Sequence, residues 1–314
     1  MGIVVIGAVF VDIKGYPEAA FVPTGRNAGR VEQIHGGVAR NVAEDIANAE
    51  LRPTFVSLVD HSGTGADVIR KLKSHKVNTD YIRTTSDGMG TWLAVFDTGG
   101  DVCASVSHRP NLHPIATTLE RHGDEIFRDA DSVIIEIDMD KDVVKQTFRL
   151  AKQYGKPIYA VVANMTIAVE RRDFLQSTDC FVCNQQEAGI LFNDDFSGRT
   201  PAEMERILAE RVAMANIPSM IVTMGAQGAV YASRDGESGY CPARKVDVKD
   251  TTGAGDAFCA GAAIGLTYGS KGLGEACRIG SFLAASVLVS SENVCPRFLP
   301  RELGLDMDIP EEKI

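Results

Sequence analysis

Two carboxylates flank a glycine-rich stretch, Asp250-Thr251-Thr252-Gly253-Ala254-Gly255-Asp256, that leads into an apolar run typical of a helix. Unpaired main-chain N–H groups and the dipole at a helix N-terminus favour an anion. The N–H groups predicted to bind it are those of Gly253, Ala254 and Gly255. Asp256 would repel an anion, so its presence is explained if it accepts a proton from a hydroxyl that attacks a phosphoryl group. The stretch predicts phosphoryl transfer, with helix capping by Asp250 and Asp256 as the alternative.

A pair of glycines begins a second stretch, Gly36-Gly37-Val38-Ala39-Arg40-Asn41. Two glycines let the main chain approach a flat sugar ring closely. Asn41, one turn into the predicted helix, offers a donor and an acceptor to vicinal hydroxyls. The alternative is a simple junction between a loop and a helix.

Both stretches closely resemble the signatures of the PfkB or ribokinase-like family of carbohydrate and nucleoside kinases, and Gly261 extends the match. This resemblance implies a three-layer α/β/α fold with a mainly parallel sheet and a small β-strand lid. It also implies ATP as the phosphoryl donor, together with magnesium. The sequence shows neither a Gly-x-x-x-x-Gly-Lys-Ser/Thr loop nor a Gly-x-Gly-x-x-Gly after the first strand, which argues against a P-loop kinase and a dinucleotide-dependent dehydrogenase.

The resemblance assigns a nucleotide turn to Thr223, Gly225 and Gly228, where the glycines would permit close approach of ATP. Without that context the segment is a plain turn between strands. Asn293, in the run Ser290-Ser291-Glu292-Asn293, is also assigned to the nucleotide.

Two cation sites follow from the same resemblance. Asn184 and Glu187 match an Asn-x-x-Glu motif, in which the Asn lies near the phosphates and the Glu helps to organise Mg²⁺ through water. A Glu at that position is also an ordinary helix-capping residue. Asp250 and the carbonyl of Thr252 correspond to positions that hold a monovalent cation in many relatives, which makes potassium a candidate activator.

The acceptor site is assigned to Asp12, Gly36, Gly37, Asn41 and Asp138. Glu136 and Asp138 share a face of one predicted strand, and by position Asp138 resembles the acidic residue that contacts the sugar in ribokinase-like enzymes. A solvated acid at a strand end is the alternative. The hydroxyl-binding set suits a ribosyl compound whose 5′-type hydroxyl faces Asp256.

Within the family the chain most resembles pseudouridine kinases, but it departs from their pattern at several positions. Phe10 stands where a sugar-binding Asn is usual, Ser62 replaces an Asp, Ala163-Asn164 replaces Asp-Pro, and His108-Arg109 replaces an Asn-Asp-like pair. We expect pseudouridine as the first candidate acceptor and a free sugar such as ribose or fructose as the second. A sugar-binding relative without turnover is a third reading, which the intact Asp256 disfavours.

Alternating Val/Ile-rich runs and amphipathic helices predict one α/β domain over residues 1–314. The first strand, Ile3 to Ala8, should end near Asp12 and place that residue at the carboxyl edge of a parallel sheet. Two strand-like runs, Thr91 to Asp97 and Val102 to His108, meet at a Thr98-Gly99-Gly100 turn and interrupt the alternation. The resemblance interprets them, with the segment after Asp12, as lid strands near 13–35 and 88–110 that pair two subunits. An edge hairpin of the main sheet is the alternative.

Composition and charge exclude some classes of binding partner and indicate the compartment. The net charge of −10 disfavours a nucleic acid, and the sequence has no apolar run of the roughly 18 residues that span a membrane. Its seven cysteines are scattered, which is typical of a reducing compartment, and its six histidines lack metal-ligand spacing. We therefore expect a cytoplasmic protein.

Overall fold

A computed structural model describes residues 2–99, 102–269 and 272–306, in which two β-sheets organise the chain. The strands are β1 Ile3–Ile6, β2 Phe10–Pro17, β3 Gly29–Gly36, β4 Thr54–Val59, β5 Ile82–Thr84, β6 Gly90–Phe96, β7 Val102–His108, β8 Ser132–Glu136, β9 Ile158–Val161, β10 Cys180–Asn184, β11 Ser219–Thr223, β12 Ala229–Ser233 and β13 Ser238–Cys241. The helices are α1 Val38–Asn48, α2 Gly63–Ser74, α3 His113–Arg128, α4 Lys141–Tyr154, α5 Met165–Ala168, α6 Arg172–Leu175, α7 Gln185–Phe192, α8 Pro201–Ala215, α9 Ala254–Tyr268 and α10 Gly272–Leu288. Short 3₁₀ turns cover Val169–Arg171, Gly225–Gln227 and Pro300–Leu303.

The large sheet has the order β13-β12-β11-β10-β9-β8-β1-β4-β5 in the described residues. Its strands run parallel except for β12 and β13, which continue from β11 as antiparallel neighbours. Successive side chains of a strand point to opposite faces. Ile3 and Val5 accordingly pack with α1, α9 and α10, whereas Val4 and Ile6 pack with α3, α4 and α8. The predicted three-layer α/β/α fold is confirmed.

A second sheet, called here the small sheet, has the order β3-β2-β6-β7. Both predicted hairpin strands are present as β6 and β7; Gly100 of the predicted turn lies outside the described residues. The segment from Lys14 to His35, which shows little periodicity, contributes β2 and β3. These strands form because they pair with residues far away in the sequence. Asp12, for example, is opposite Ile34 of β3 and beside Trp92 of β6.

The prediction for the first strand needs a correction. β1 ends at Ile6, and Asp12 lies two residues into β2 of the small sheet, not at the carboxyl edge of the large sheet. Gly7 follows β1 directly, and a Cβ there would lie 2.3 Å from that of Ala39, so only glycine lets α1 pack this closely against the end of β1. Among the described helices none is long and apolar enough to cross a bilayer.

Candidate active site

The glycine turn at 253–255 begins α9. Gly253 has φ 82°, in the left-handed region that glycine favours, and a Cβ there would lie 2.0 Å from the carbonyl oxygen of Asn293. Gly255 differs, because a Cβ at that position would meet nothing within 4 Å. The N-terminus of α9 therefore has open space beside Gly255. The N–H of Ala254, predicted to be unpaired, donates to the carbonyl oxygen of Thr251 over 3.3 Å.

Asp256 lies in the first turn of α9, next to that space. Burial raises the pKa of Asp256 to about 6, although a hydrogen bond from Asn41 and the charge of Arg40 act in the opposite direction. A carboxyl group with that pKa is mostly ionised at neutral pH and yet basic enough to accept a proton from a bound hydroxyl.

Asn41 joins α1 to α9 at this point. Its Nδ2 donates a hydrogen bond to Oδ2 of Asp256 over 2.5 Å, and its Oδ1 accepts from Nη2 of Arg40 and from Nδ2 of Asn293. Since Arg40 and Asn293 both donate to Oδ1, the Asn41 amide is held with its NH₂ group toward Asp256. The structure thus brings two of the predicted residues, 215 positions apart, into direct contact.

Arg40 is 1% exposed and is held in place by several acceptors. It donates to Oε2 of Glu44 over 2.5 Å and to the carbonyl oxygen of His35 over 2.5 Å. No role for Arg40 was predicted from the sequence. Its position beside Asn41, inside the glycine-pair motif, is the signal that could have identified it.

The glycine pair lies between β3 and α1. Gly37 has φ 99° and is the N-cap of α1, and a Cβ there would lie 2.7 Å from the carbonyl oxygen of Ala8. A Cβ at Gly36 would lie 2.7 Å from Oδ2 of Asp12. The two glycines therefore let β2 and α1 approach each other, and this approach places Asp12 beside the glycine pair. Burial raises the pKa of Asp12, against the lowering effect of the charges on Lys14 and Arg40.

Two acidic residues, Glu136 at the end of β8 and Asp138 just after it, are buried. Glu136 accepts from the N–H of Ala39 over 2.8 Å and from that of Ala8 over 3.2 Å, and burial, with the charge of Asp138, raises its pKa. Asp138 is 1% exposed; its Oδ1 accepts from the N–H of Ala163 and its Oδ2 from Nη1 of Arg109, each over 3.0 Å. The Arg109 side chain is 30% exposed, so solvent reaches this pair through Arg109.

On the predicted nucleotide side, Asn184 is the N-cap of α7. Its Oδ1 accepts from the N–H of Glu187, while Oε2 of Glu187 accepts from the N–H of Asn184, each over 2.8 Å. This reciprocal capping box is the helix-capping role that the sequence offered as the alternative to Mg²⁺ binding. It uses only one carboxylate oxygen of Glu187 and leaves Oε1 outside the box. Burial raises the pKa of Glu187.

The described residues contain no cluster of three or more His, Cys, Asp or Glu side chains that could hold a metal ion by themselves. A single carboxylate such as Glu187 fits Mg²⁺ only in the way that the sequence predicts, with waters and substrate phosphates as the other ligands. Asp250 uses Oδ1 to accept from the N–H of Thr252 over 2.8 Å, so this pair forms a turn at the start of the glycine stretch.

The turn after β11 contains the other predicted nucleotide residues. Thr223 ends the strand, Gly225 has φ 57°, and Gly228 has φ 98° with no room for a Cβ, which would lie 2.2 Å from the carbonyl oxygen of Cys241. Asn293 is positioned differently from these residues. Its side chain is buried, and Nδ2 donates to the carbonyl oxygen of His35 over 2.8 Å and to Asn41. The Asn293 amide therefore supports the Asn41–Asp256 contact.

A glycine turn at the N-terminus of α9, a carboxylate in the first turn and an asparagine that donates to this carboxylate are the features expected of a phosphotransferase on an α/β fold. Residues 2–297 match the pfkB family of carbohydrate kinases, and the chain belongs to this family. It is a sugar or nucleoside kinase.

Two curated relatives and one solved structure illustrate the similarity. A guanosine-inosine kinase of Exiguobacterium acetylicum is 34% identical over 293 residues, which are 93% of this chain and 95% of that protein. A pseudouridine kinase of Escherichia coli K12 is 24% identical over 263 residues, 83% and 82% of the two chains. The ribokinase of Arabidopsis thaliana, complexed with ribose and ATP, superposes with a TM-score of 0.82 at 19% identity, covering 96% and 98% of the two chains.

Proposed function

We propose that the protein transfers the γ-phosphoryl group of ATP to the 5′-hydroxyl of a purine ribonucleoside, with inosine and guanosine as first candidates. The observation that carries this proposal is the similarity to a guanosine-inosine kinase along nearly the whole of both chains. From the sequence alone, pseudouridine was the first candidate acceptor. The lower identity to a pseudouridine kinase over less of the chain moves pseudouridine to second place.

The geometry supports a direct transfer with Asp256 as general base. Asp256 takes the proton of the 5′-hydroxyl as its oxygen attacks the γ-phosphorus, the new O–P bond forms, and ADP leaves with the electrons of the broken bond. The N–H groups of Gly253 and Gly255 bind the transferring phosphoryl oxygens, and that of Ala254 joins them if it leaves the carbonyl oxygen of Thr251, which it contacts over 3.3 Å. Mg²⁺, organised through water by Glu187, would neutralise phosphate charge.

Residues of β2, of the glycine pair and of α1 bind the ribose in this proposal. Asp12 on β2 and the Gly36-Gly37 main chain take the vicinal hydroxyls, while Asn41 orients both the sugar and Asp256. The ring of Phe10 lies against Gly90 of β6, within about 2.5 Å of where a Cβ would be. We infer that this aromatic face contacts the nucleobase.

The decisive experiment measures ADP release with inosine, guanosine, adenosine, pseudouridine, uridine, ribose and fructose, and identifies the product. We expect the highest kcat/KM for inosine or guanosine, with a 5′-monophosphate as product. The 2′-deoxy analogues should lose about 10- to 100-fold, because a buried partner of the missing hydroxyl is left unpaired. Preference for pseudouridine, or for a free sugar, would contradict the purine proposal; inactivity of Asp256→Asn is the control that the measured rate belongs to this site.

We further infer a homodimer formed through the small sheet. Val31 and Val106 are 72% and 70% exposed on its edge strands, and Leu93 and Val102 are also exposed. Sedimentation of the parent and of Val106→Glu tests this assembly. Potassium activation, proposed at Asp250 and Thr252, is tested by replacing K⁺ with tetramethylammonium at constant ionic strength.

A further inference from the structure

Lys14 is a buried cation with no carboxylate in direct contact among the described residues. It lies on β2 of the small sheet and is 5% exposed. In the described part of the chain, its Nζ has one hydrogen bond, to Oγ1 of Thr252 over 3.4 Å, and no carboxylate oxygen lies within 4.0 Å. The carboxylates of Asp12 and Asp250 interact with the charge of Lys14 only from beyond contact distance. Burying an ammonium group is costly unless it is closely paired, so this arrangement suggests that an anion is bound there in the functional state.

The surroundings of Lys14 indicate which anion that is. Thr252 directly precedes Gly253, so Nζ lies at the start of the turn that opens into the space beside α9. Lys14 follows Asp12 by two positions on one strand, and the two side chains therefore share a face of the small sheet. The strand that carries the predicted acceptor carboxylate thus also carries an ammonium group to the predicted phosphate turn.

An ion pair across the sheet is the alternative explanation. Lys14 is directly opposite Glu32 of β3, a position at which opposite charges often pair. The Glu32 carboxylate instead contacts Nη1 of Arg30 at 2.6 Å. Lys14 therefore points away from its cross-strand neighbour and toward Thr252.

The other cations near the site are already engaged. Arg40 is bonded to Glu44, Asn41 and the His35 carbonyl, and Arg109 is bonded twice to Asp138. A transferring phosphoryl group, with Asp256 beside it, requires positive charge. Lys14 is the described lysine that contacts the turn without a carboxylate partner.

We propose that Lys14 is a catalytic residue whose ammonium group contacts the γ-phosphoryl oxygens at the 253–255 turn, from the bound triphosphate through the transfer. The hydroxyl proton goes to Asp256, the new O–P bond forms and the bond to ADP breaks. The proposal rests on the phosphoryl transfer described above but not on the identity of the acceptor.

The test compares Lys14→Met, which keeps the length of the side chain without its charge, with Lys14→Arg. Removing one donor to a transferring group costs about 10²- to 10³-fold in kcat, so we expect a loss of that size for Lys14→Met and at least partial recovery in Lys14→Arg. Lys73→Met, at an exposed position of α2, is the control for the loss of a lysine charge and should retain kcat. In Lys14→Ala, added methylammonium should restore part of the rate in a saturable way.

A binding measurement separates catalysis from structure and needs no acceptor. Calorimetry with Mg²⁺ and AMP-PNP, then with Mg²⁺ and ADP, should show weaker binding of AMP-PNP by Lys14→Met but unchanged binding of ADP. A kcat within about tenfold of the parent, or equal weakening of both nucleotides, would overturn the proposal. If Lys14→Met does not fold, Lys14→Gln provides the same comparison. If the parent phosphorylates none of the nucleosides tested, the purine proposal fails while the nucleotide comparison still decides the role of Lys14.

Discussion

Replacing Asn41 with leucine should move the acid limb of the pH–rate profile to higher pH. Asn41 donates to Oδ2 of Asp256 over 2.5 Å, and this bond stabilises the ionised carboxylate. Burial already raises the pKa of Asp256 to about 6 with that bond in place. Leucine has a similar shape but no donor, so the charged form of Asp256 loses support and its pKa rises further.

The size of the shift follows from the energy of the bond. A hydrogen bond to a charged group contributes about 1.5–3 kcal/mol, and one pKa unit corresponds to about 1.4 kcal/mol. The acid limb should therefore move from about 6 by about 1 to 2 pH units. A general base works only when deprotonated, so kcat/KM near pH 6.5 should fall roughly tenfold more than at pH 9. Any loss of contact with the acceptor lowers both rates equally and cancels in this ratio.

The assay is kcat/KM from pH 5 to 9.5, with Asn48→Leu as the matched control. Asn48 lies two turns further along α1, is 2% exposed, and donates Nδ2 to the carbonyl oxygen of Cys295 over 2.7 Å. The control should lose thermal stability but keep the parent's acid limb. An acid limb of Asn41→Leu within about 0.3 pH units of the parent, well below the shift that the bond energy predicts, would refute the reasoning. So would an equal displacement in both variants.

Three further predictions concern the same site. Asp256→Asn should lower kcat by about 10²-fold or more while ATP binding, measured by calorimetry, survives; a rate within tenfold of the parent would reject Asp256 as the base. Gly255→Val should abolish transfer with little change in Tm because its Cβ enters open space, whereas Gly253→Val should lower Tm because its Cβ meets the Asn293 carbonyl; the opposite pattern would contradict the geometry. Burial raises the pKa of Glu136 from 4.5 to about 8, so its contribution to stability is present below pH 4.5 and is lost as the pH rises through about 8. Urea titrations should therefore show a flatter stability profile between pH 5 and 8 for Glu136→Gln, and an unchanged profile would count against a protonated Glu136.

The glycine-rich stretches could be interpreted from the sequence because their requirements are local. Gly37 and Gly253 need a backbone conformation that other residues rarely adopt, and each is followed directly by its helix. Strands buried on both faces were equally clear, since β10 and β11 are short runs of apolar residues between turns. Local sequence therefore indicated the family and the parallel strands.

The positions of several site residues could not be predicted from the sequence, because they depend on contacts between segments that are far apart in the chain. Asp12 belongs to the small sheet because β2 pairs with β3 and β6. The segment has no periodicity from which these pairings could be predicted. Asp138 is engaged by Arg109 and the Ala163 N–H, partners that neither the predicted contact with the sugar nor the alternative of a solvated acid included. Lys14 could have been noticed, because its spacing from Asp12 puts both on one face of a strand, but its approach to Thr252 depends on how the two sheets meet.

Helix α1 explains why the site needs buried polar residues and not only apolar packing. Apolar contacts would hold α1 against α9, but they are non-directional and would leave the rotation of the Asn41 amide undetermined. The hydrogen bonds from Arg40 and Asn293 determine that rotation, and Glu44 in turn holds Arg40. Asp45, on the same helix, accepts from the N–H of Cys295 over 2.6 Å, which ties the segment that contains Asn293 to α1. Each of these groups is expensive to bury alone, so the network is stable only when all its members are in place, and that arrangement is the one in which Asn41 faces Asp256.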